Sequence, residues 1–319
     1  MLKLETEVIY MKLMNNEKHY NTLNNYYKAV YKKKVCKIAL NAGFSCPNKD
    51  GTKGKNGCTY CSLSGSGDCG GNKEDSLEIQ FDKIKKIMEH KWPNTYYIPY
   101  LQANTNTYAP LQKLKEIYEK IAYIDKNVVM ISIATRSDSI SKETLEYLGE
   151  LNKRVKVQVE LGLQTIWPET AKLINRGHSL ASVKNMTEEL KKRDIEVVLH
   201  IINGLPGETK EMMIETAKYV NKLNPRGIKI HSLTVLKNTK MGNDYVKEPF
   251  PLLSKDEYID IVVNQLRLLN TNIIIHRLSA DAKKGELIAP DWTLRKMVIM
   301  NEIDKTMRKN NFFQGDLLK

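Results

Sequence analysis

Between residues 35 and 235, short runs dense in β-branched and apolar residues alternate with longer runs whose apolar positions recur every three or four residues. The short runs predict buried strands at Val35–Leu40, Tyr96–Gln102, Val128–Thr135, Val155–Gly162, Glu196–Ile202 and Ile228–Val235. The longer runs predict helices at Ser76–Lys91, Leu111–Tyr123, Lys142–Asn152, Glu169–Asn175, Leu180–Arg193 and Thr209–Leu223, with Pro110 and Ser141 as start signals for two of them. Six strand-then-helix units in sequence call for a parallel sheet, because parallel neighbours need crossover connections and helices supply them. A doubly wound sheet would show a G-x-G-x-x-G turn after its first strand, and a long cysteine-bearing loop stands there instead. The expected fold is therefore α/β, a partial (β/α)6 TIM-like barrel whose chemistry collects at the strand C-termini. The unusual segments fall there: QANTNTY after the second strand, ATRSD after the third, GLQT after the fourth and NGLPGET after the fifth. The expected organisation is a basic, aromatic extension over 1–34, the barrel core over 35–240 and a cap over 241–319. That cap would hold a helix near Lys255–Leu269, a short strand Ile273–Ile275 and a helix near Thr293–Lys309.

A length of 319 residues suits one barrel-sized core with a cap, and 41% hydrophobic with 27% charged residues describes a globular chain. No apolar run approaches the roughly 20 residues of a membrane span, and charges interrupt every apolar pair of the N-terminal MLKLETEVIYMKLMNNEKHY, so no signal-peptide core is present. The expected compartment is the cytoplasm, with no membrane partner. Lys and Arg outnumber Asp and Glu by 50 to 37, a net +13 that attracts polyanions and puts nucleic acid first among partners. Of those 50, 41 are Lys and nine Arg, a usage that genome composition also produces.

The cysteines lie at 36, 46, 58, 61 and 69, an odd number for a disulfide framework and clustered as for a metal. Cys46 is followed by eleven residues, Cys58, two residues and Cys61, within NAGFSCPNKDGTKGKNGCTYC. Glycines at 51, 54 and 57 let that loop fold back so that the thiols converge. Three readings are open at this point. A structural zinc site needs four ligands, and Cys69 would complete it; in that case the chain is a zinc-stabilised nucleic-acid-binding protein and no enzyme. Unrelated thiols are the second reading. The third is a four-iron cluster held by Cys46, Cys58 and Cys61, with one iron left open to a substrate or cofactor.

These residues resemble the radical S-adenosylmethionine (SAM) superfamily, and the wording GFSCPNKDGTKGKNGCTYC is similar to its YtqA/YhcC-type subfamily. The superfamily's commonest spacing is C-x3-C-x2-C; the eleven-residue gap departs from it and is similar to the long gap of the Elongator catalytic subunit. The resemblance runs from about Tyr20 to Arg277. It implies a radical SAM barrel, a 4Fe-4S cluster whose open iron chelates SAM, reductive cleavage of SAM to methionine and a 5′-deoxyadenosyl radical, and a flavodoxin-like or ferredoxin-like electron donor. For the substrate it implies either a small metabolite, as in the oxygen-independent coproporphyrinogen oxidase group, or a modified tRNA base such as a wobble-uridine side chain, as in the Elongator subunit. The chain ends at Lys319, without room for the acetyltransferase domain that subunit adds, so the full Elongator reaction is not expected.

The same resemblance implies SAM contacts. Asn104 and Thr105 stand where relatives carry a glycine-rich motif after the second strand. Gln164 and Arg176, twelve apart, are similar to a Gln/Arg pair of the coproporphyrinogen oxidase group, and a guanidinium can fork onto a carboxylate. The segment His200 to Glu208 looks like the superfamily's G-x-I-x-G-x-x-E, with Ile202 and Gly204 in place, His200 at the first glycine and the acid displaced by one. Ile202 would pack on adenine and Gly204 would admit the backbone. Glu160 shares its side of the fourth strand with Gln158 and Gly162 and is either a ligand or half of a buried pair. His231 is a proton donor or a core histidine. Cys69 is an auxiliary ligand, a hydrogen-atom donor or a bystander, and Cys36 a small buried hydrophobe. The basic runs Lys32–Lys34, Lys83–Lys86 and Lys191–Arg193 are solvated faces unless they share one surface. The tyrosines at 20, 26, 27 and 31 either stack on RNA bases or pack on the barrel.

Overall fold

A computed structural model describes residues 13–62, 65, 70–282 and 284–318. In chain order the elements are α1 (Leu23–Tyr31), β1 (Val35–Leu40), α2 (Leu77–Lys91), β2 (Tyr96–Leu101), α3 (Leu111–Ala122), β3 (Met130–Thr135), α4 (Lys142–Asn152), β4 (Lys156–Gln164), α5 (Pro168–Leu173), α6 (Leu180–Lys191), β5 (Glu196–Asn203), α7 (Lys210–Leu223) and β6 (Gly227–Ser232). They continue with β7 (Val235–Leu236), α8 (Lys240–Lys247), α9 (Lys255–Leu268), β8 (Ile274–Arg277), β9 (Leu287–Ala289), a 3-10 turn (Asp291–Arg295) and α10 (Lys296–Lys309). The main sheet has the strand order β1-β2-β3-β4-β5-β6-β8, and β1/β2, β2/β3, β3/β4 and β6/β8 pair in parallel. The fold is α/β, the partial TIM-like barrel that alternating strands and helices called for.

Hydroxyl caps set the helix starts. Ser76, Ser141, Ser179, Thr209 and Thr239 each accept from a backbone N–H three residues on, and Ser254 forms a reciprocal capping box with Glu257. Each cap is worth about 1 kcal/mol and fixes where a strand-end loop stops.

The chain forms two compact units. One comprises Tyr27–Gly162 and Gly177–Val198, and its core is the apolar faces of β1 to β3 and most of β4 against α2 to α4 and α6, with Ile38, Leu40, Leu101, Leu114, Ile131 and Leu148 fully buried. The other holds Leu163–Arg176, Leu199–Lys319 and the described residues before Tyr27, with Ile201, Val220, Ile230, Val262, Leu266 and Ile303 in its core.

Several expectations need correction. The strand foreseen within the cap is β8, which pairs with β6 and continues the main sheet (Gly227↔Ile274). Four residues carry too little pattern to say which sheet they join. The single strand expected over Ile228–Val235 breaks into β6 and β7, because Val235–Leu236 pairs antiparallel with β9. The helix expected over Thr293–Lys309 begins as a 3-10 turn and becomes α-helical at Lys296. Helix α1, in a stretch that showed only an aromatic cluster, contains two Asn and four β-branched or aromatic residues that weaken the helical signal. Of the tyrosines considered for base stacking, Tyr20 and Tyr27 are core residues, and the Tyr20 hydroxyl donates to Asp304 at 2.9 Å. Cys36 is buried as expected, and burial raises its thiol pKa. Among the described residues no helix is long and apolar enough to cross a membrane.

Candidate active site

The loop after β1 shows how an eleven-residue gap brings cysteines together. Backbone bonds from Lys49 N and Asp50 N to Cys46 O start a turn, Asp50 bridges Lys55 antiparallel, and Gly57 N donates to Asn48 O at 2.8 Å. The insert is thus a hairpin that returns Cys58 beside Cys46. Gly57 has φ +69°, a left-handed conformation that a side chain would strain, and an added Cβ would press on the Lys49 stem at 2.9 Å. Cys61 N then donates to Cys58 O at 3.0 Å, closing the C-x2-C turn.

The surroundings of Cys58 favour its thiolate. Asn48, itself buried, points Nδ2 at Cys58 Sγ (3.7 Å). The hydrogen bond from Cys61, opposed by burial and helped by the Arg136 charge and by Tyr60 and Asn48, brings the Cys58 thiol down to about 6. Cys61 moves up in turn, first through its bond to Cys58 and then through burial, while the Lys49 charge opposes the rise. Cys46 lies close enough to Cys61 to act on it electrostatically. Arg136, at the end of β3, is held by a bidentate pair to Asp138 (2.9 and 3.0 Å) and keeps a buried cation within reach of Cys46 and Cys58. A low-pKa thiolate is the metal-binding form. Among the described residues no three His, Cys, Asp or Glu side chains converge as donors to one ion, whereas a cubane takes one thiolate on each iron. Thiols brought together by the hairpin, with Arg136 and Lys49 beside them, fit such a cluster. Cys69 lies outside the described residues.

The end of β2 is tied to this loop. Ala103 and Asn104 are both left-handed (φ 64° and 58°), a conformation that costs on the order of 1 kcal/mol per residue and gathers at functional sites. Asn104 donates Nδ2 to Phe44 O (3.0 Å) and accepts from Lys49 Nζ (3.1 Å), while Thr105 N donates to Ser45 O (3.1 Å). Asn104 therefore fixes the cysteine loop. Thr105 is 1% exposed, and its Oγ1 has no hydrogen-bond partner among the described residues, an unmet polar group next to the cysteines.

Deeper in the same unit, Lys37 of β1 reaches Glu160 Oε1 (2.6 Å), Gln158 Oε1 (2.8 Å) and Ser132 Oγ (3.2 Å), with Nζ 5.0 Å from the Tyr100 ring centroid. Of the two roles open to Glu160, the geometry shows half of a buried pair. Lys37, Asn48, Lys49, Arg136 and Asp138 were not singled out from sequence. ATRSD stood out only as a polar strand end, and one lysine among the apolar residues of VCKIAL was the sole signal for Lys37.

In the second unit Gln164 ends β4 in the left-handed region (φ 56°). Arg176 is buried and donates NH1 to Leu163 O and Thr165 O (both 2.6 Å), clamping the peptide groups on either side of Gln164. Thr165 Oγ1 donates to Glu208 Oε1. Gly204 has φ +88°, and its N–H points at Met213 Sδ (3.1 Å). The rings of His200 and His231 lie 5.3 Å apart, and Ile202 is half-buried.

Burial pushes the Glu208 carboxyl up from 4.5 to about 7, against hydrogen bonds from Thr165 and Thr170 that lower it. The folded chain holds this proton more tightly than the unfolded chain, so stability falls as pH rises from about 4.5 to about 7. Glu208→Gln removes that slope. After a discount for partial exposure the change is roughly 2 kcal/mol, so the melting temperature of the variant relative to the parent should rise by several degrees between pH 5 and pH 8. A difference that does not vary with pH contradicts this.

Comparison with known proteins fits this arrangement. A family model for the Radical SAM superfamily matches residues 50–220, and one for the Radical_SAM C-terminal domain matches 225–309. The chain is 44% identical over 301 residues to YtqA of Bacillus subtilis (strain 168), covering 94% of this chain and 93% of that protein. It is 29% identical over 140 residues to the tRNA uridine(34) acetyltransferase of Methanocaldococcus infernus, a match spanning 42% of this chain and 25% of that protein. The solved structure of the archaeal Methanocaldococcus infernus Elp3 shares the fold, with TM-score 0.66 at 18% identity over 88% of this chain and 64% of that one. The chain belongs to the radical SAM superfamily of enzymes, whose members use S-adenosylmethionine and a 4Fe-4S cluster.

Proposed function

We propose that the enzyme acts on tRNA, at a modified base such as a wobble-uridine side chain, with SAM cleaved reductively at a cluster held by Cys46, Cys58 and Cys61. The observation that carries the RNA reading is the 140-residue likeness to a tRNA uridine(34) acetyltransferase; the net charge of +13 supports it. Bound at the thiols, the cluster supplies the electron for SAM cleavage, which a flavodoxin-like or ferredoxin-like protein delivers. The chain's own residues hold and balance that group. Arg136 and Lys49 offset thiolate charge, and Asn48 and Asn104 fix the hairpin. The Thr105 hydroxyl, without a partner among the described residues, is placed to meet a polar ligand. Gln164, Arg176, His200, Ile202 and Gly204, in the second unit, are the SAM contacts that the family pattern implies. For Arg176 the contact is indirect, through the backbone turn it clamps.

The test uses tRNA from a strain lacking the gene. Its hydrolysate should show one modified uridine replaced by a precursor, and the reduced, cluster-loaded protein with SAM should convert that precursor in the isolated tRNA while releasing 5′-deoxyadenosine. An unchanged nucleoside profile, with deoxyadenosine release indifferent to tRNA, overturns the RNA reading and favours a small metabolite.

A further inference from the structure

We propose that the edge formed by the N-terminal ends of β1 and β2 is an RNA-backbone surface, at the far end of the strands from the cysteine loop. The inference rests on the tRNA reading above and adds where the body of that RNA is held. Strands β1 and β2 start side by side, with Tyr96 N donating to Lys34 O at 2.9 Å. This brings Lys33 and Lys34 next to the turn that follows α2. There Trp92 is 42% exposed, with Lys34 Nζ 4.8 Å and Lys91 Nζ 5.9 Å from its ring centroid, and Lys33 Nζ is 4.8 Å from the Tyr96 centroid.

Three features set this edge apart from an ordinary solvated lysine run. The cations are gathered on two aromatic rings, so charge is concentrated and less side-chain freedom is lost when an anion binds. Lys33 and Lys91 are exposed and form no ion pair among the described residues. The nearby acids are already engaged: Asp125 with Lys85 at 2.6 Å, and Glu89 with the Tyr97 hydroxyl at 2.9 Å. Lys126 and Lys156, exposed at the starts of β3 and β4, continue the positive edge. Complementing the helix dipole accounts for Lys91 at the end of α2, but not for an exposed tryptophan between cations. Lysines with an aromatic platform match a phosphate chain with unstacked bases, the combination that single-stranded and looped RNA offers.

The position also bears on substrate size. Six residues of β1 separate Lys34 from the cysteine loop, about 20 Å along an extended strand, beyond the reach of a nucleoside and within that of a folded RNA arm.

The test compares tRNA binding by the cluster-loaded enzyme, by Lys33→Glu/Lys91→Glu, by Trp92→Ala and by a control pair with the same charge change, Lys222→Glu/Lys247→Glu, between 50 and 200 mM KCl. The first pair should lose at least about tenfold in affinity at low salt, with a log–log salt slope shallower by about 1 to 2, since each lost phosphate contact removes about 0.7 to 0.9. Trp92→Ala should lose affinity without changing the slope, the control pair should stay within about twofold, and RNA-free deoxyadenosine release should be unchanged in all. If the parent binds tRNA and the Lys33/Lys91 pair binds it equally well, or the control pair weakens as much, the surface proposal falls and the tRNA reading stands. A parent enzyme that binds no tRNA overturns both.

Discussion

Anaerobically reconstituted protein is expected to carry about four irons per chain, and Cys58→Ala to lose both that iron and all detectable 5′-deoxyadenosine release. Cys46→Ala and Cys61→Ala should behave alike, because on the proposed assignment each thiolate would hold one iron and removal of any one would leave an iron without its protein ligand. The parent's environment makes the loss severe: the Cys58 thiol is drawn down to about 6, first by the Cys61 hydrogen bond and then by Arg136, Tyr60 and Asn48. Cys36→Ala is the matching control, since that buried thiol lies in β1 and its pKa is raised by burial. Arg136→Met separates charge from ligation. Iron content should survive, while the reduction potential moves to a more negative value, because a buried cation next to an anionic cluster favours the extra electron. Stoichiometric iron in Cys58→Ala, or zinc in place of iron in the parent, would overturn the assignment of these thiols.

Lys37→Met is expected to destabilise the fold by about 3–5 kcal/mol, while Lys37→Met/Glu160→Leu recovers most of that loss. The Glu160 side chain is fully buried and that of Lys37 is 18% exposed, so removing the cation strands a carboxylate away from water. Ser132 Oγ still donates to Glu160 at 3.0 Å, but a neutral hydrogen bond does not offset a buried charge. Losing both charges removes the desolvation penalty along with the attraction, which is why the double variant should recover. Thermal melts should show a drop on the order of 10 °C for the single variant and a much smaller one for the double. Additive losses would mean that the two side chains act separately. Full stability with lost activity would instead put Lys37 in the chemistry.

The sequence by itself determined the strand and helix alternation, the barrel class and the family resemblance of the cysteine loop. Each of these is written locally: β-branched runs such as VQVELGL favour buried strands, Ser and Thr caps mark helix starts, and the wording of the cysteine loop is a run of consecutive residues. The six core strands were placed to within a few residues for that reason. Where pairing is decided by distant partners, the local pattern fell short. Ile274–Arg277 joins the main sheet only because Gly227 leaves room for it, an added Cβ there meeting His276, and Val235–Leu236 breaks away from β6 only because Leu287–Ala289 offers an antiparallel partner.

The site divides along the same line. Cys46, Cys58 and Cys61 were legible as candidates because spacing is a property of consecutive residues. Asn104 was noticed at a strand end, but its work on the cysteine loop depends on Phe44 and Lys49, more than fifty residues away in sequence. Arg176 was noted for a guanidinium that can fork onto a carboxylate, but its clamp on the turn around Gln164 was not legible from spacing. Arg136, Asp138 and the Lys37–Glu160 pair carry charge that only burial makes consequential. In water such groups are screened and ordinary; enclosed, they must find partners or shift their titration. Burial and partnership arise when strands far apart in sequence assemble, so spacing and family resemblance pointed to the cysteines as candidates, and the tertiary structure alone decided which side chains surround and balance them.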